Sequence, residues 1–457
     1  MPPATTFASS PTGLHNLFLT HEHTVPSSYE ARLRADAAVP LSLDSTLSTD
    51  GPFYDKIDRD EDTVWPGPDI QWMPSHETYV ARAKALAKLA IHRPTRVPAG
   101  FPDVVIEPWA WTGNDTREED YVLRLSDAEV TEVDAALAHY KTLGLPSTEL
   151  DTVQPSTFPL PLLEPRLRDV AGQVHEGLGF QIIRGLEPRR YTAWENIVIY
   201  LGITSYVADK RAVQDSSGNM LIHIKDLGYK IANSDMRQSP YASNAQPFHN
   251  DVCDVLAMYV QEEAAEGGES HLASSAKVYN EIAANRPDAI HTLSQPNWIF
   301  DKHRVPAFYN TRALLFNFGA RGPAFCFSRR PITGSPTSPR SPGVPPMSEV
   351  QAEAIDMVHF TAWKNKVTIK LRRGDIQLIN NLACQHAREN FVDKPLQRRQ
   401  IIRLWLRNED MAWETPEGLK KTWFEKYGDS ERRKIATWNI LPGALRERVL
   451  FRSDSCS

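Results

Sequence analysis

A chain of 457 residues has room for one large domain with extensions, or for two or three domains. Apolar residues make up 41% and charged residues 24%, an ordinary balance for a soluble globular protein, and a net charge of −6 speaks against a nucleic-acid partner. Four cysteines without Cys-x-x-Cys spacing do not form a disulfide framework, which points to a reducing compartment. The N-terminus lacks a basic, then apolar, signal pattern and no apolar run reaches membrane-spanning length, so the expected location is cytoplasmic with no membrane partner.

Residues 1 to about 75 are rich in Pro, Ser, Thr and Asp and read as loops and turns; His21 and His23 within them read as surface histidines. Helical spacing follows over 76–92. Ser126 with Glu129 three residues on is a capping-box signature that opens a helix from Val130 to Leu143. Arg166 to Leu178 is predicted helical, Gly179 to Gly185 a strand, Tyr191 to Leu201 a helix and Asn219 to Lys225 a strand. Val255 to Val260 is continuously apolar, as expected of a strand buried on both faces. A turn at 266–270 and a helix from Ala276 to Ala284, stopped by Asn285-Arg-Pro287, come next. Residues 328–347 form a long Pro- and Ser-rich loop, a candidate lid or a surface insertion. Ser348 to Asn365 is helical, Val367–Leu371 and Ile376–Ile379 read as a hairpin around Gly374, and Leu396 to Arg407 is a strand.

Short strands with helices set between them predict a mixed α/β chain with a mainly β core, a sandwich of the jelly-roll or cupin kind with flanking helices. The expected division is an N-terminal extension over 1–160, a catalytic domain over 161–410 and a helical tail over 411–457.

The chemistry centres on Gln246-Pro-Phe-His249-Asn-Asp251. On an extended strand alternate residues share a face, so an imidazole and a carboxylate aim at one point. His386 is the candidate second imidazole, within Asn380-Asn-Leu-Ala-Cys-Gln-His386-Ala-Arg388. Two imidazoles and one carboxylate on one face of an iron leave positions open for a co-substrate and dioxygen. Arg399 and Arg403 share a strand face, where two guanidiniums in an apolar strand are costly unless anions meet them. A dicarboxylate co-substrate and an acidic substrate would supply those anions; structural salt bridges are the plainer alternative. Asn244, Gln246 and Phe248, just ahead of His249, are candidate pocket residues.

Taken in order, His249-Asn-Asp251, Gly267-Gly-Glu-Ser270, His386 and Arg398-Arg399-Gln-Ile-Ile-Arg403 resemble the taurine dioxygenase (TauD/TfdA) family, its fungal branch in particular, over about residues 165 to 408. The resemblance implies a double-stranded β-helix of the clavaminate synthase-like type. It implies an iron(II)- and 2-oxoglutarate-dependent dioxygenase that uses O2, with ascorbate as reductant in vitro. Matching positions make His249, Asp251 and His386 the iron ligands, Arg399 the partner of the distal carboxylate of 2-oxoglutarate, and Arg403 the holder of a substrate anion. Ser270 stands where relatives commonly carry Thr, and keeps the hydroxyl for the co-substrate. Asn250 is expected to point away from the metal. The implied reaction is oxidation, by default hydroxylation, of an unactivated C–H bond in a small anionic molecule: a sulfonate, a carboxylate or amino acid, or a specialised metabolite. Desaturation or ring closure, a non-catalytic cupin-like binding protein and a zinc hydrolase are the alternatives. Relatives often self-associate, so homo-oligomerisation stays open.

Overall fold

Two long apolar strands divide the interior into two cores. The computed structural model describes residues 54–56, 68–89, 91–228, 239–303, 308–336 and 338–441. The predictions for His21, His23 and most of residues 1–75, and the end of the tail beyond 441, lie outside those residues. Within them the chain is a mixed arrangement of sheets and helices. The strands that build the site are β1 (Val122–Arg124), β2 (Phe180–Arg184), β3 (Lys210–Arg211), β4 (Ile222–Ile224), β5 (Gln246–His249), β6 (Val255–Glu262), β7 (Ser270–Ser274), β8 (Val367–Ile369), β9 (Ile376–Asn380), β10 (Cys384–Arg388) and β11 (Gln400–Arg407). A seven-stranded sheet runs β1-β2-β9-β6-β11-β3 with β4 beside β11, and a four-stranded sheet runs β8-β7-β10-β5. The pairings are antiparallel except that of β1 with β2.

Helices α1 (His76–Ala87), α2 (Asp127–Thr142), α3 (Glu164–His175), α4 (Ala193–Thr204), α5 (Ser275–Asn285), α6 (Pro287–Ser294), α7 (Glu349–Asn365) and α8 (Glu417–Tyr427) cover the sheets. Leu256, Met258, Val260, Ile401 and Trp405 turn into a core shared with Leu272 of β7 and with α5, α6 and α7. Val255, Ala257, Tyr259, Ile402, Leu404 and Leu406 turn the other way, onto α2, α3 and α4. That is why β6 has no polar alternation: both of its faces are covered, and each large side chain so buried contributes about 1.5–3 kcal/mol.

Local signals explain most element ends. Ser126 accepts from the Glu129 N–H while Glu129 accepts from the Ser126 N–H, so the expected capping box starts α2. Pro287 was expected only to stop a helix. It also opens α6, because a proline at the first position of a helix gives up an N–H that would be unbonded anyway.

The structure corrects the expected hairpin. β8 and β9 are not a hairpin: β8 pairs with β7 in the small sheet, β9 with β2 and β6 in the large one. The chain crosses between sheets at Gly374, whose φ is +87° and where a Cβ would lie 1.9 Å from the Leu186 carbonyl oxygen. Asp375 pins the crossing, accepting from Nε and Nη2 of Arg184 at 2.8 Å each and from the Arg372 N–H at 2.8 Å. The 328–347 loop is anchored. Arg329, fully buried, donates to the Trp72 and Gln71 carbonyls and to Asp356, and Asp301 accepts from the Ser341 N–H. β1 lies ahead of residue 160 and still forms the edge of the large sheet. Beyond residue 410, α8 docks on the core: Trp423 donates to Asp254 and Tyr427 to the Leu406 carbonyl. Among the described residues no helix is long and apolar enough to cross a membrane.

Candidate functional site

β5 and β10 pair so that His249 stands directly opposite His386, with ring centroids 4.1 Å apart. His386 sits inside β10. Asp251 arrives differently from expectation, because β5 ends at His249. Asn381 sets the carboxylate. Its Oδ1 accepts from the Asp251 N–H at 2.9 Å, and its Nδ2 donates to the carbonyls of Asp251 and Cys253. Asn250 points away as expected, its Nδ2 donating to the Asn381 and Cys384 carbonyls at 2.6 and 3.1 Å. One ligand atom from each of His249, Asp251 and His386 can then be chosen so that all lie within 4.8 Å of one another; among the described residues no other such cluster occurs.

The protonation states suit a cation. Burial, reinforced for His386 by its imidazole neighbour, pushes the His386 pKa down to about 3, and burial also lowers that of His249. The Pro247 carbonyl, 2.9 Å from His249 Nδ1, can only accept, so Nδ1 carries the proton and Nε2 keeps its lone pair. Burial works against ionisation of Asp251, yet the Arg403 guanidinium, helped by the Trp405 N–H, holds its pKa below the ordinary carboxylate value. Two neutral imidazoles and one carboxylate, already deprotonated, are a fitting donor set for a divalent iron.

Arg403 proves to have a partner that the sequence reading did not include. Its Nη1 donates to Asp251 Oδ2 at 2.8 Å, its Nε donates to Gln214 Oε1 at 2.8 Å, and Trp405 Nε1 adds a second hydrogen bond to Asp251 Oδ2 at 3.1 Å. With Oδ2 held this way, Oδ1 faces His249 Nε2 at 3.9 Å. Gln214 is fixed in turn by donating to the Met220 and Arg403 carbonyls.

The next row of side chains along the small sheet brings Ser270, Arg388 and Gln246 into register. Ser270 reaches across to Gln377 of β9, Oγ to Oε1 at 3.4 Å. Arg399, immediately before β11, is buried with its Cζ 5.2 Å from the Phe391 ring centroid and its Nη1 without a partner among the described residues. Burial lowers its pKa to about 10 against the opposing charge of Asp393. A shallow cleft is lined by Arg399 and, among others, by Val260, Gly267, Gly268, Leu371 and Ile401; the metal-competent residues do not line it. Asn244 contributes its carbonyl to the Arg388 guanidinium. Phe248 is no pocket residue: it packs on the opposite face of β5, against His359 and Trp363 of α7. Cys253 and Cys384 are buried thiols whose pKa burial raises.

Sequence reasoning gave no role to Asn381, Gln214, Trp405, Gln377 or Arg388. Trp405 and Arg388 had a signal, since each lies two residues along its strand from a residue already singled out. Gln214 had none, being in an irregular segment far from the motifs.

The model of the "Taurine catabolism dioxygenase TauD, TfdA family" matches residues 129–405. The chain is 37% identical over 344 residues to the taurine hydroxylase-like protein SAT17 of Stachybotrys chartarum, covering 73% of this chain and 87% of that protein. The chain belongs to the TauD/TfdA family. It is a dioxygenase enzyme dependent on iron(II) and 2-oxoglutarate. A further relative of this TauD/TfdA member is the FR-33289 synthase of Streptomyces rubellomurinus, 25% identical over 261 residues, with 52% of this chain and 71% of the synthase covered. Among solved structures it is similar to asparagine oxygenase in complex with Fe(II), 2S,3S-3-hydroxyasparagine and succinate, at a TM-score of 0.48 and 14% identity over 63% of this chain and 94% of that one. The non-heme iron oxygenase OrfP in complex with Fe and alpha-ketoglutaric acid aligns at 0.47 and 14%, over 63% and 93%.

Proposed function

We propose that this dioxygenase hydroxylates an unactivated C–H bond of a small anionic organic molecule, such as a sulfonate, a carboxylate or amino acid, or a specialised metabolite. 2-Oxoglutarate is decarboxylated to succinate and CO2 in the same turnover. His249, Asp251 and His386 hold the iron. Arg399 and the Ser270 hydroxyl hold the distal carboxylate of 2-oxoglutarate. Arg403 and Trp405 keep Asp251 Oδ2 turned away, so that Oδ1 serves the metal. Asn244 and Gln246 border the substrate side. The antiparallel sheets around these residues support a double-stranded β-helix of the jelly-roll type.

Iron(II) bound there supplies the activation of dioxygen, coupled to oxidative decarboxylation of the 2-oxo acid. The chain's own part is electrostatic and steric. Two uncharged imidazoles and one carboxylate leave the iron a single positive charge in excess, which favours an anionic 2-oxo acid. The apolar neighbours Leu272, Val260 and Ile401 exclude water from the interior. Arg399 fixes the co-substrate by a charge-assisted contact in a dry site, where such contacts are strong.

The observation that carries the reading is the deprotonated, buried His249–Asp251–His386 cluster, with the buried Arg399 guanidinium in the same chain interior. The test is succinate formation from 2-oxoglutarate by iron-loaded protein with ascorbate and a panel of sulfonates, carboxylates and amino acids. Succinate in step with one hydroxylated product is expected. No 2-oxoglutarate binding under anaerobic conditions, and no consumption with any panel member, would end the proposal.

A further inference from the structure

Arg388 is a buried guanidinium that the roles above leave unused. It lies two residues from His386 on β10, so both side chains leave the same face of the small sheet. On β7 its register partner is Ser270. Its Cζ sits 4.9 Å from the centroid of the Phe391 ring, the same ring that Arg399 approaches to 5.2 Å. Only Nη2 is engaged, donating to the Ala242 and Asn244 carbonyls, while Nε and Nη1 are buried without a partner among the described residues.

A buried cation with open donors, next to a second one, is costly unless an anion joins them. We infer that Arg388 is a second guanidinium for the distal carboxylate of 2-oxoglutarate, closing with Arg399 and Ser270 on a single carboxylate. Three independent placements converge on that end of the co-substrate: Ser270 in register, Phe391 shared with Arg399, and the open Nε and Nη1. The inference rests on the assignment of Arg399 and Ser270 to 2-oxoglutarate.

The test is equilibrium binding to the manganese-loaded protein, by calorimetry without oxygen, of 2-oxoglutarate and of 2-oxopentanoate, which lacks the distal carboxylate. Arg388→Met should weaken 2-oxoglutarate binding roughly 10- to 100-fold and leave 2-oxopentanoate within about twofold, so the preference for the dicarboxylate narrows. Unchanged 2-oxoglutarate affinity, or an equal loss for both acids, would overturn the inference. If Arg388→Met does not fold, Arg388→Lys is compared by the same pair of affinities and should show the same selective, smaller loss. Failure of the wild-type protein to bind 2-oxoglutarate would instead defeat the proposed function, so the two failures are distinct.

Discussion

Replacing Arg403 separates two roles that sequence position alone cannot separate. Its Nη1 is 2.8 Å from Asp251 Oδ2, the pair is almost fully buried, and Trp405 is the other donor to that oxygen. Arg403→Gln removes a charge-assisted hydrogen bond worth about 1.5–3 kcal/mol. The groups that orient a metal ligand typically contribute about 10- to 100-fold in metal affinity, a similar free energy. The expected outcome is therefore iron or manganese affinity weakened about 10- to 100-fold, measured anaerobically by competition with a chromogenic chelator. Far-ultraviolet circular dichroism checks that the fold persists. Saturating metal should restore most of the turnover, and KM for the organic substrate should move little. Trp405→Phe, which removes the neutral donor, should weaken metal binding less than Arg403→Gln. Arg399→Ala should leave metal affinity alone and raise KM for 2-oxoglutarate. If Arg403→Gln binds metal as the wild type does while KM for the organic substrate rises steeply, the guanidinium serves the substrate and the orienting role fails.

Two further outcomes concern the fold around the site. His359 is buried in α7, its Nδ1 accepting from the Phe248 N–H, and burial, with some help from Arg329, lowers its pKa to about 3. An imidazole with a depressed folded pKa stabilises the fold above its unfolded value, and that stability is lost as pH falls from the unfolded value toward about 3, by up to about 1.4 kcal/mol per pH unit. Urea denaturation at descending pH should show this slope, flattened in His359→Gln; an unchanged slope would contradict the burial argument. Asp375→Asn takes the buried carboxylate from Arg184 at the crossing between the sheets, leaving it the more exposed Glu118, and should cost about 1.5–3 kcal/mol in denaturant unfolding. A loss below about 1 kcal/mol would place that pair among weak surface contacts.

The candidate metal cluster was legible because its residues carry unusual chemistry at short spacing. His249 and Asp251 announce themselves, and His386 needed only a family pattern to join them. The geometry behind the pair was not legible. Alternation along a strand would have set Asp251 on the face of His249, but β5 stops two residues short of it and Asn381 holds its backbone instead. A hydrogen-bonding side chain 130 residues away leaves no periodic trace in sequence. The hairpin expectation failed for a related reason. Two apolar runs around a glycine satisfy local turn chemistry, while the partners of β8 and β9 are chosen by distant strands. The helix α6 was missed because the proline that ends one helix is equally suited to begin the next.

Charge matching explains why the interior needs its arginines. Arg403 is paired with Asp251, and the Trp405 N–H donates to the same carboxylate oxygen. Arg399 faces its nearest acid, Asp393, mainly through the backbone: Asp393 accepts from the Arg399 N–H at 2.9 Å, while the guanidinium turns toward Phe391. Arg388 stands over the same ring with carbonyl oxygens as its protein acceptors. An apolar interior tolerates such charge only when something else balances it. A dianion that places one carboxylate at the metal and the other at these guanidiniums balances both ends at once. On the proposed assignment a monoanion would leave one end uncompensated, so the same electrostatics would select against acids that lack the distal carboxylate.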